Sequence, residues 1–239
     1  MVEIKQLELN QMLRIVNDKG DIIYVKKVVD ETPPNPRDED SDGNLGIMVC
    51  WHHKYALGND HSWNDVDDFF SYMLKVYCGV SEEKLENMST ADARNILENS
   101  EDVLLLPLYL LDHSGLAMQT HPFNDAWDSA QVGWIYTTKA QAQSLWDVEV
   151  GEDWKQRARE ELTAEVEKYD DYLRGNTYGV NVYVFCGTKE ENEMVEEQLK
   201  NKPIDPSLFD WFEEEQYCGF IGNDDKASGL LDFVNNIVA

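Results

Sequence analysis

The run Val103-Leu104-Leu105-Leu106-Pro107-Leu108-Tyr109-Leu110-Leu111 constrains the fold more than any other feature of the chain. It is too short to cross a bilayer, which takes about 20 apolar residues in a helix. It also lacks the alternation of a half-exposed strand. An unbroken apolar run, here interrupted by Pro107, reads as a strand buried on both faces, so further layers have to cover it on each side.

The flanking sequence supplies them. Met12–Val16 and Ile22–Val25 bracket Asn17-Asp18-Lys19-Gly20-Asp21 and predict a β-hairpin with Gly20 at positive φ. Residues 31–46 carry three prolines and the run Asp38-Glu39-Asp40-Ser41-Asp42, which predicts a mobile acidic loop. Ile47–Trp51 reads as a short strand. Ser62 or Asn64 is placed to cap a helix reaching Tyr77, whose apolar stripe is Val66, Phe69, Phe70, Met73, Leu74 and Tyr77. A weaker helical stretch covers 81–99. Gln131–Thr137 reads as a strand ending in the capping-box sequence Thr138-Lys139-Ala140-Gln141. A long amphipathic helix is expected over 152–173, with Trp154, Ala158, Leu162, Val166, Tyr169 and Leu173 on one face and Gly175 as its stop. Residues 180–186 alternate as a strand, 189–200 and 206–214 read as short acidic helices, and 217–221 as a last strand. No βαβ rhythm runs through this order. The expectation is one α+β domain over 1–239, with a central antiparallel or mixed sheet, packed helices and an acidic helical region at 189–215.

With 42% apolar and 11% aromatic residues, the 239-residue chain has enough to fill a core. Forty-seven Asp and Glu against 20 Lys and Arg give a formal charge of −27, shared by both halves of the sequence. Such a field repels nucleic acid and anionic membrane, so neither is an expected direct partner. Halophilic adaptation fits poorly, because 14 of the 20 bases are Lys. Cys50, Cys78, Cys186 and Cys218 are widely spaced in apolar settings and read as reduced, buried thiols. The N-terminus has no basic region followed by an apolar run, so a cytoplasmic location is expected.

Three groups of residues are candidates for chemistry. His52, His53, His61, His113 and His121 cluster in sequence but match no recognised ligand spacing. His52 and His53, if on a strand, would face opposite ways, so no metal and no cofactor is expected. Asp112-His113-Ser114-Gly115 and Trp127-Asp128-Ser129-Ala130-Gln131 flank core strands. Asp112, His113, Ser114, Asp128 and Gln131 could therefore line a ligand or hydrolase pocket, while turn-forming Asp and Ser beside Gly115 explain the same letters. The third candidate is the acidity between Glu190 and Asp225: Glu190, Glu191, Glu193, Glu196, Glu197, Asp205, Asp210, Glu213, Glu214, Glu215, Asp224 and Asp225 against Lys200 and Lys202. Carboxylates along helix faces can imitate the phosphate field of a duplex for a protein that expects DNA, and a solvated surface kept soluble by like charge is the plainer account.

Asn35-Pro36-Arg37, Asn44-Leu45-Gly46-Ile47-Met48-Val49-Cys50-Trp51-His52, Pro107 to Gly115 and Trp127 to Tyr136 together resemble a family of largely uncharacterised proteins carried by phages and plasmids. The likeness continues through Glu165–Tyr178 and Gly219-Phe220-Ile221-Gly222. The chain departs from it at Ala130, where glycine is expected, and in the acidic insert 189–215. Carriage by mobile elements implies a host-takeover or anti-defence role. The resemblance thus favours a non-enzymatic inhibitor acting in the host cytoplasm on a host protein with a basic, nucleic-acid-binding surface.

Overall fold

The computed structural model describes residues 4–38, 43–125, 127–147, 149, 151, 153–199 and 212–238, with backbone only at 196, 198 and 199. In chain order they form β1 (Met12–Val16), β2 (Ile22–Val29), β3 (Ile47–Cys50), α1 (Val66–Tyr77), α2 (Glu82–Leu85), α3 (Thr90–Glu98), β4 (Val103–Asp112), β5 (Leu116–Gln119), β6 (Ser129–Thr138), α4 (Lys139–Trp146), α5 (Trp154–Leu173), β7 (Thr177–Phe185), α6 (Lys189–Leu199), β8 (Phe212–Ile221) and α7 (Leu230–Ile237). The fold is α+β, with antiparallel pairing in both sheets. Sequence reading treats 1–239 as one domain. The contacts resolve the chain into two compact units, Met1–Pro34 joined with Gly175–Ala239, and Asn35–Arg174. No helix among the described residues is long and apolar enough to cross a membrane.

The Asn35–Arg174 unit is built around the apolar run. Its sheet has the order β3-β6-β4-β5. Alternate residues of β4 point to opposite faces. Leu104, Leu106, Leu108 and Leu110 meet Leu162, Val166 and Tyr169 of α5, while Val103 and Leu105 join Phe69, Phe70 and Met73 of α1 and Leu97 of α3. Each fully buried Leu or Phe contributes about 1.5–3 kcal/mol, so this double layer is the unit's main source of stability. Pro107 is tolerated because β5 pairs only with Tyr109–Asp112, leaving Pro107 on the stretch of β4 that has β6 alone as its neighbour. A bulge between Leu108 and Tyr109 shifts the β4–β6 register.

The other unit holds the sheet β1-β2-β7-β8. Gly20, at φ +90°, turns the first hairpin, and the Asn17 side chain accepts from the backbone N–H groups of Lys19 and Asp21. Ile23, Val25, Val180 and Val182 face Leu230 and Val234 of α7; on the opposite face Tyr24 and Tyr183 pack with Val195 of α6.

Several local expectations change. Asp65, and neither Ser62 nor Asn64, caps α1, accepting from the N–H groups of Asp67 and Asp68. The 81–99 stretch is divided into α2 and α3, since Ser89 starts a new helix by accepting from Asp92 N–H. Thr138 and Gln141 form the expected capping box. The helix expected over 206–214 is corrected at its described end: residues 212–214 belong to β8, whose pairing with β7 overrides the helical propensity of Glu213, Glu214 and Glu215. Residues 200–211, with Asp205 and Asp210, lie outside the described residues. The loop 31–46 is anchored where it is described, through the buried side chain of Arg37. Of the four thiols only Cys50 is buried; Cys186 and Cys218 are exposed at the end of β7 and on β8.

Candidate functional site

A cleft of about 1210 Å³ opens in the Asn35–Arg174 unit, lined by Asn35, Arg37, Asp38, Ile47, Cys50, Trp51, His52, His53, Tyr55, Ala56, Leu57, Gly58, Asn59, Asp60 and His61. Two segments make it, the loop before β3 and the loop after it. The first is fixed by Arg37, which donates through Nη1 to Gly46 O at 3.2 Å and through Nη2 to Glu165 Oε2 of α5 at 2.9 Å. Glu165 in turn accepts from Leu45 N at 2.6 Å and Gly46 N at 3.2 Å. Burial pulls the Arg37 guanidinium below its ordinary pKa, and the Glu165 carboxylate opposes that pull.

The second segment is held by Asn59, which accepts from Met48 N at 2.8 Å and donates to Arg37 O at 3.0 Å. Beside it Gly58, at φ +73°, donates its N–H to the Tyr169 hydroxyl at 2.9 Å; a Cβ there would lie 2.7 Å from Met48 O. The walls are therefore set by hydrogen bonds to a sheet strand and to α5.

The carboxylates of Asp38 and Asp60 line this space together with the imidazoles of His52 and His53. His52 Nδ1 accepts from Lys54 N and Tyr55 N at 3.3 and 3.2 Å, and its ring stacks on Tyr55 with centroids 5.1 Å apart. Burial, then the neighbouring His53, holds the His52 pKa below its ordinary value, which keeps the ring neutral at pH 7. His52 and His53 follow β3 and do not sit on a strand, so their rings come together at 4.8 Å, contrary to the opposed arrangement expected from a strand. His61 Nε2 lies 3.0 Å from Cys50 O, an acceptor only, so that nitrogen carries the proton. Its Nδ1 is buried and has no partner among the described residues. Burial pushes the Cys50 thiol up to about 12, so it faces the cleft as a neutral SH and not as a nucleophile. Among the described residues no three His, Cys, Asp or Glu side chains converge to hold a metal ion.

The DHSG and WDSxQ residues are brought together only in part. Asp112 N–H donates to Asp128 O at 2.9 Å, and His113 Nδ1 is 2.6 Å from Asp128 Oδ2, an exposed imidazole–carboxylate pair. Asp112 reaches the rim of the cleft, within 3.3 Å of Lys54 Nζ and of the Tyr55 hydroxyl. Ser114, at φ +54°, occupies the β4–β5 turn beside Gly115, the turn role that its sequence context allows. Gln131 lines a second, more apolar pocket with Trp51, Asn64, Val66, Phe70, Arg94 and Trp134. The five residues do not share one site. Ala130 sits in β6 opposite Leu110 and is not a positive-φ position.

The acidic stretch is likewise divided. Asp225 pairs with Lys27, their side chains 11% and 8% exposed, so it is not presented to a partner. Glu215 accepts from the Tyr217 hydroxyl, Glu191 caps Thr188 N–H, and Asp224 accepts from the N–H groups of Lys226 and Ala227. Glu213 and Glu215 lie opposite Val184 and Val182, on the other face of the sheet from Glu214 opposite Tyr183. Glu190, Glu193 and Glu197 are exposed on α6. The Glu196 side chain and Asp210 are outside the described residues.

The cleft itself was not anticipated, because its key contact, Arg37 to Glu165, spans 128 positions. Comparison with protein-family models, with curated proteins and with solved structures gives no match.

Proposed function

We propose that this chain is a binding protein for a small polar ligand, held in the cleft between residues 35–38 and 47–61. The observation that carries this reading is the pre-set wall: Arg37, Gly58 and Asn59 are each fixed by hydrogen bonds before any ligand arrives, and preorganisation of this kind lowers the entropic cost of binding. That wall carries the carboxylates of Asp38 and Asp60, and the neutral His52 ring adds no opposing charge. The ligand is therefore a donor-rich and preferably cationic molecule, which the overall charge of −27 also attracts. A hydrolase is less well supported, since Cys50 is neutral and the His113–Asp128 pair stands exposed with Ser114 in a turn.

Isothermal titration with putrescine, glucose and acetate tests this. Putrescine is expected to bind best, and Asp60→Asn to weaken it by about tenfold, the order of one charged hydrogen bond. His52 has a depressed pKa, so protonation sets in below its ordinary value of about 6.5; affinity for a cation is then expected to fall as pH drops through that region and to be flat above it. Equal binding of all three probes, or none up to millimolar concentration, would rule the reading out.

A second reading rests on a different observation. Glu190, Glu193 and Glu197 are exposed at i, i+3 and i+7 on α6, one helical face of three carboxylates. It supports the anti-defence inhibitor that engages a basic, DNA-handling host protein from the cytoplasm. Reversing these three charges to Lys is expected to abolish capture of such a protein at low salt, and wild-type capture is expected to fade as salt rises. Capture that survives both changes is incompatible with mimicry.

A further inference from the structure

We propose that the second pocket of the Asn35–Arg174 unit, about 590 Å³ and lined by Trp51, Phe70, Trp134, Arg94, Asn64 and Gln131, binds an uncharged nucleobase or nucleoside. The inference is independent of the cleft described above. The volume falls in the range of small-molecule sites, and apolar walls with a few polar groups at the mouth are the composition such sites have.

Three features select the ligand. First, the walls are aromatic, and the Arg94 guanidinium already lies 4.8 Å from the Trp134 ring centroid. A planar base extends that stack, since bases pack on aromatic rings and on guanidinium planes alike. Second, the mouth carries two carboxamides. Gln131 Nε2 donates to Gly133 O at 3.3 Å and Asn64 Nδ2 donates to Asp68 Oδ2 at 2.6 Å. Among the described residues this leaves Gln131 Oε1 and Asn64 Oδ1 without donors, both placed to accept from an exocyclic amino group, as Asn and Gln do when they read adenine. Third, charge excludes phosphate. Asp65 lines the pocket, Asp67 and Asp68 follow it in the first turn of α1, and Arg94, the one cation among the described lining residues, is paired to Glu98 at 2.7 Å. The α1 N-terminus is not open to an anion either, because Asp65 already accepts from its first N–H groups.

Isothermal titration with adenosine, cytidine, guanosine, uridine, AMP and benzyl alcohol tests the proposal. Adenosine or cytidine, which carry an exocyclic amino group, are expected to bind at submillimolar concentration. AMP is expected to bind at least about fivefold more weakly than adenosine at low salt, the gap closing as salt screens the repulsion. Gln131→Ala and Arg94→Ala, both at solvent-accessible positions, are each expected to weaken adenosine about tenfold with the unfolding midpoint unchanged, whereas Asp60→Asn in the other cleft leaves it unaltered. The proposal is overturned by any of three results: no saturable heat with any nucleoside up to about 5 mM, benzyl alcohol binding as well as the nucleosides, or AMP binding tighter than adenosine. Loss of putrescine binding in the neighbouring cleft has no bearing on these outcomes.

Discussion

Alanine at Gly133 is expected to destabilise the Asn35–Arg174 unit by about 4 kcal/mol or more, since an added methyl there meets a neighbour at a shorter distance than at any other described glycine. Gly133 sits in β6 between Cys50 of β3 and Leu108 of β4. A Cβ built there falls 2.0 Å from Val49 O and 2.8 Å from Cys50 Cα. Both are backbone atoms, so no side-chain rotation relieves the clash, and β3 has to move off β6. Overpacking of this type costs about 1–3 kcal/mol, and losing the hydrogen bonds of a four-residue strand adds about 1 kcal/mol for each one broken. Displacing β3 also pulls Met48, at 0% exposure, out of the core and carries the cleft wall with it. A total of 4 kcal/mol or more, roughly, is a large part of the 5–15 kcal/mol that holds a typical domain together. Gly20→Ala makes the contrast, because nothing lies within 4 Å of its Cβ and only the φ of +90° resists, at about 1 kcal/mol. Chemical denaturation followed by tryptophan fluorescence reads the Gly133 variant, since Trp51 and Trp134 belong to this unit, and far-UV circular dichroism follows Gly20→Ala in the other unit. A Gly133→Ala midpoint within error of wild type would show that β3 has room the packing does not provide.

What the sequence could tell depended on how local the cause was. The Val103–Leu111 run had to be covered on both faces, and α5 on one side with α1 and α3 on the other do so. The first hairpin, the Thr138–Gln141 capping box and the helix ending before Gly175 were equally legible, because each is decided by residues within a turn of one another. Failures came where a distant partner decides. Glu213, Glu214 and Glu215 read as helix from composition, yet β7, some 30 positions earlier, recruits them into a strand. The same limit affected the candidate residues. Asp112, His113 and Asp128 meet, since neighbouring strands deliver them to one end of the sheet. The β4–β6 bulge between Leu108 and Tyr109 and the sheet's two faces place Gln131 in another pocket. Charge carried least information of all: it identified Asp225 as a contact for a partner, where the fold uses it to hold Lys27.

Glu165→Ala is expected to destabilise the same unit by about 3–5 kcal/mol, the cost of stranding a buried charge. The Arg37 side chain is 1% exposed and that of Glu165 14%, so the two mutations that break the pair are not equivalent. Removing Glu165 leaves a guanidinium in the interior together with the Leu45 and Gly46 N–H groups that its carboxylate had satisfied. Removing Arg37 as Arg37→Met keeps those two N–H contacts, retains much of the packing volume and strands a carboxylate that water can partly reach, so the loss is smaller, about 2 kcal/mol. Glu165→Gln keeps an acceptor for the backbone but gives up the charge, and falls between wild type and alanine. Arg37→Met combined with Glu165→Gln should cost less than the sum of its parts, because neither partner then buries an unopposed charge. A double-mutant cycle by chemical denaturation measures that coupling; additivity, or a Glu165→Ala loss under about 1 kcal/mol, would mean the pair is not buried as described. The cleft follows the same order. Asn59 donates to Arg37 O, so a loosened Arg37 frees the 58–61 wall as well as its own loop. Ligand affinity should therefore decline from wild type through Arg37→Met to Glu165→Ala, although neither variant removes an acceptor from the site.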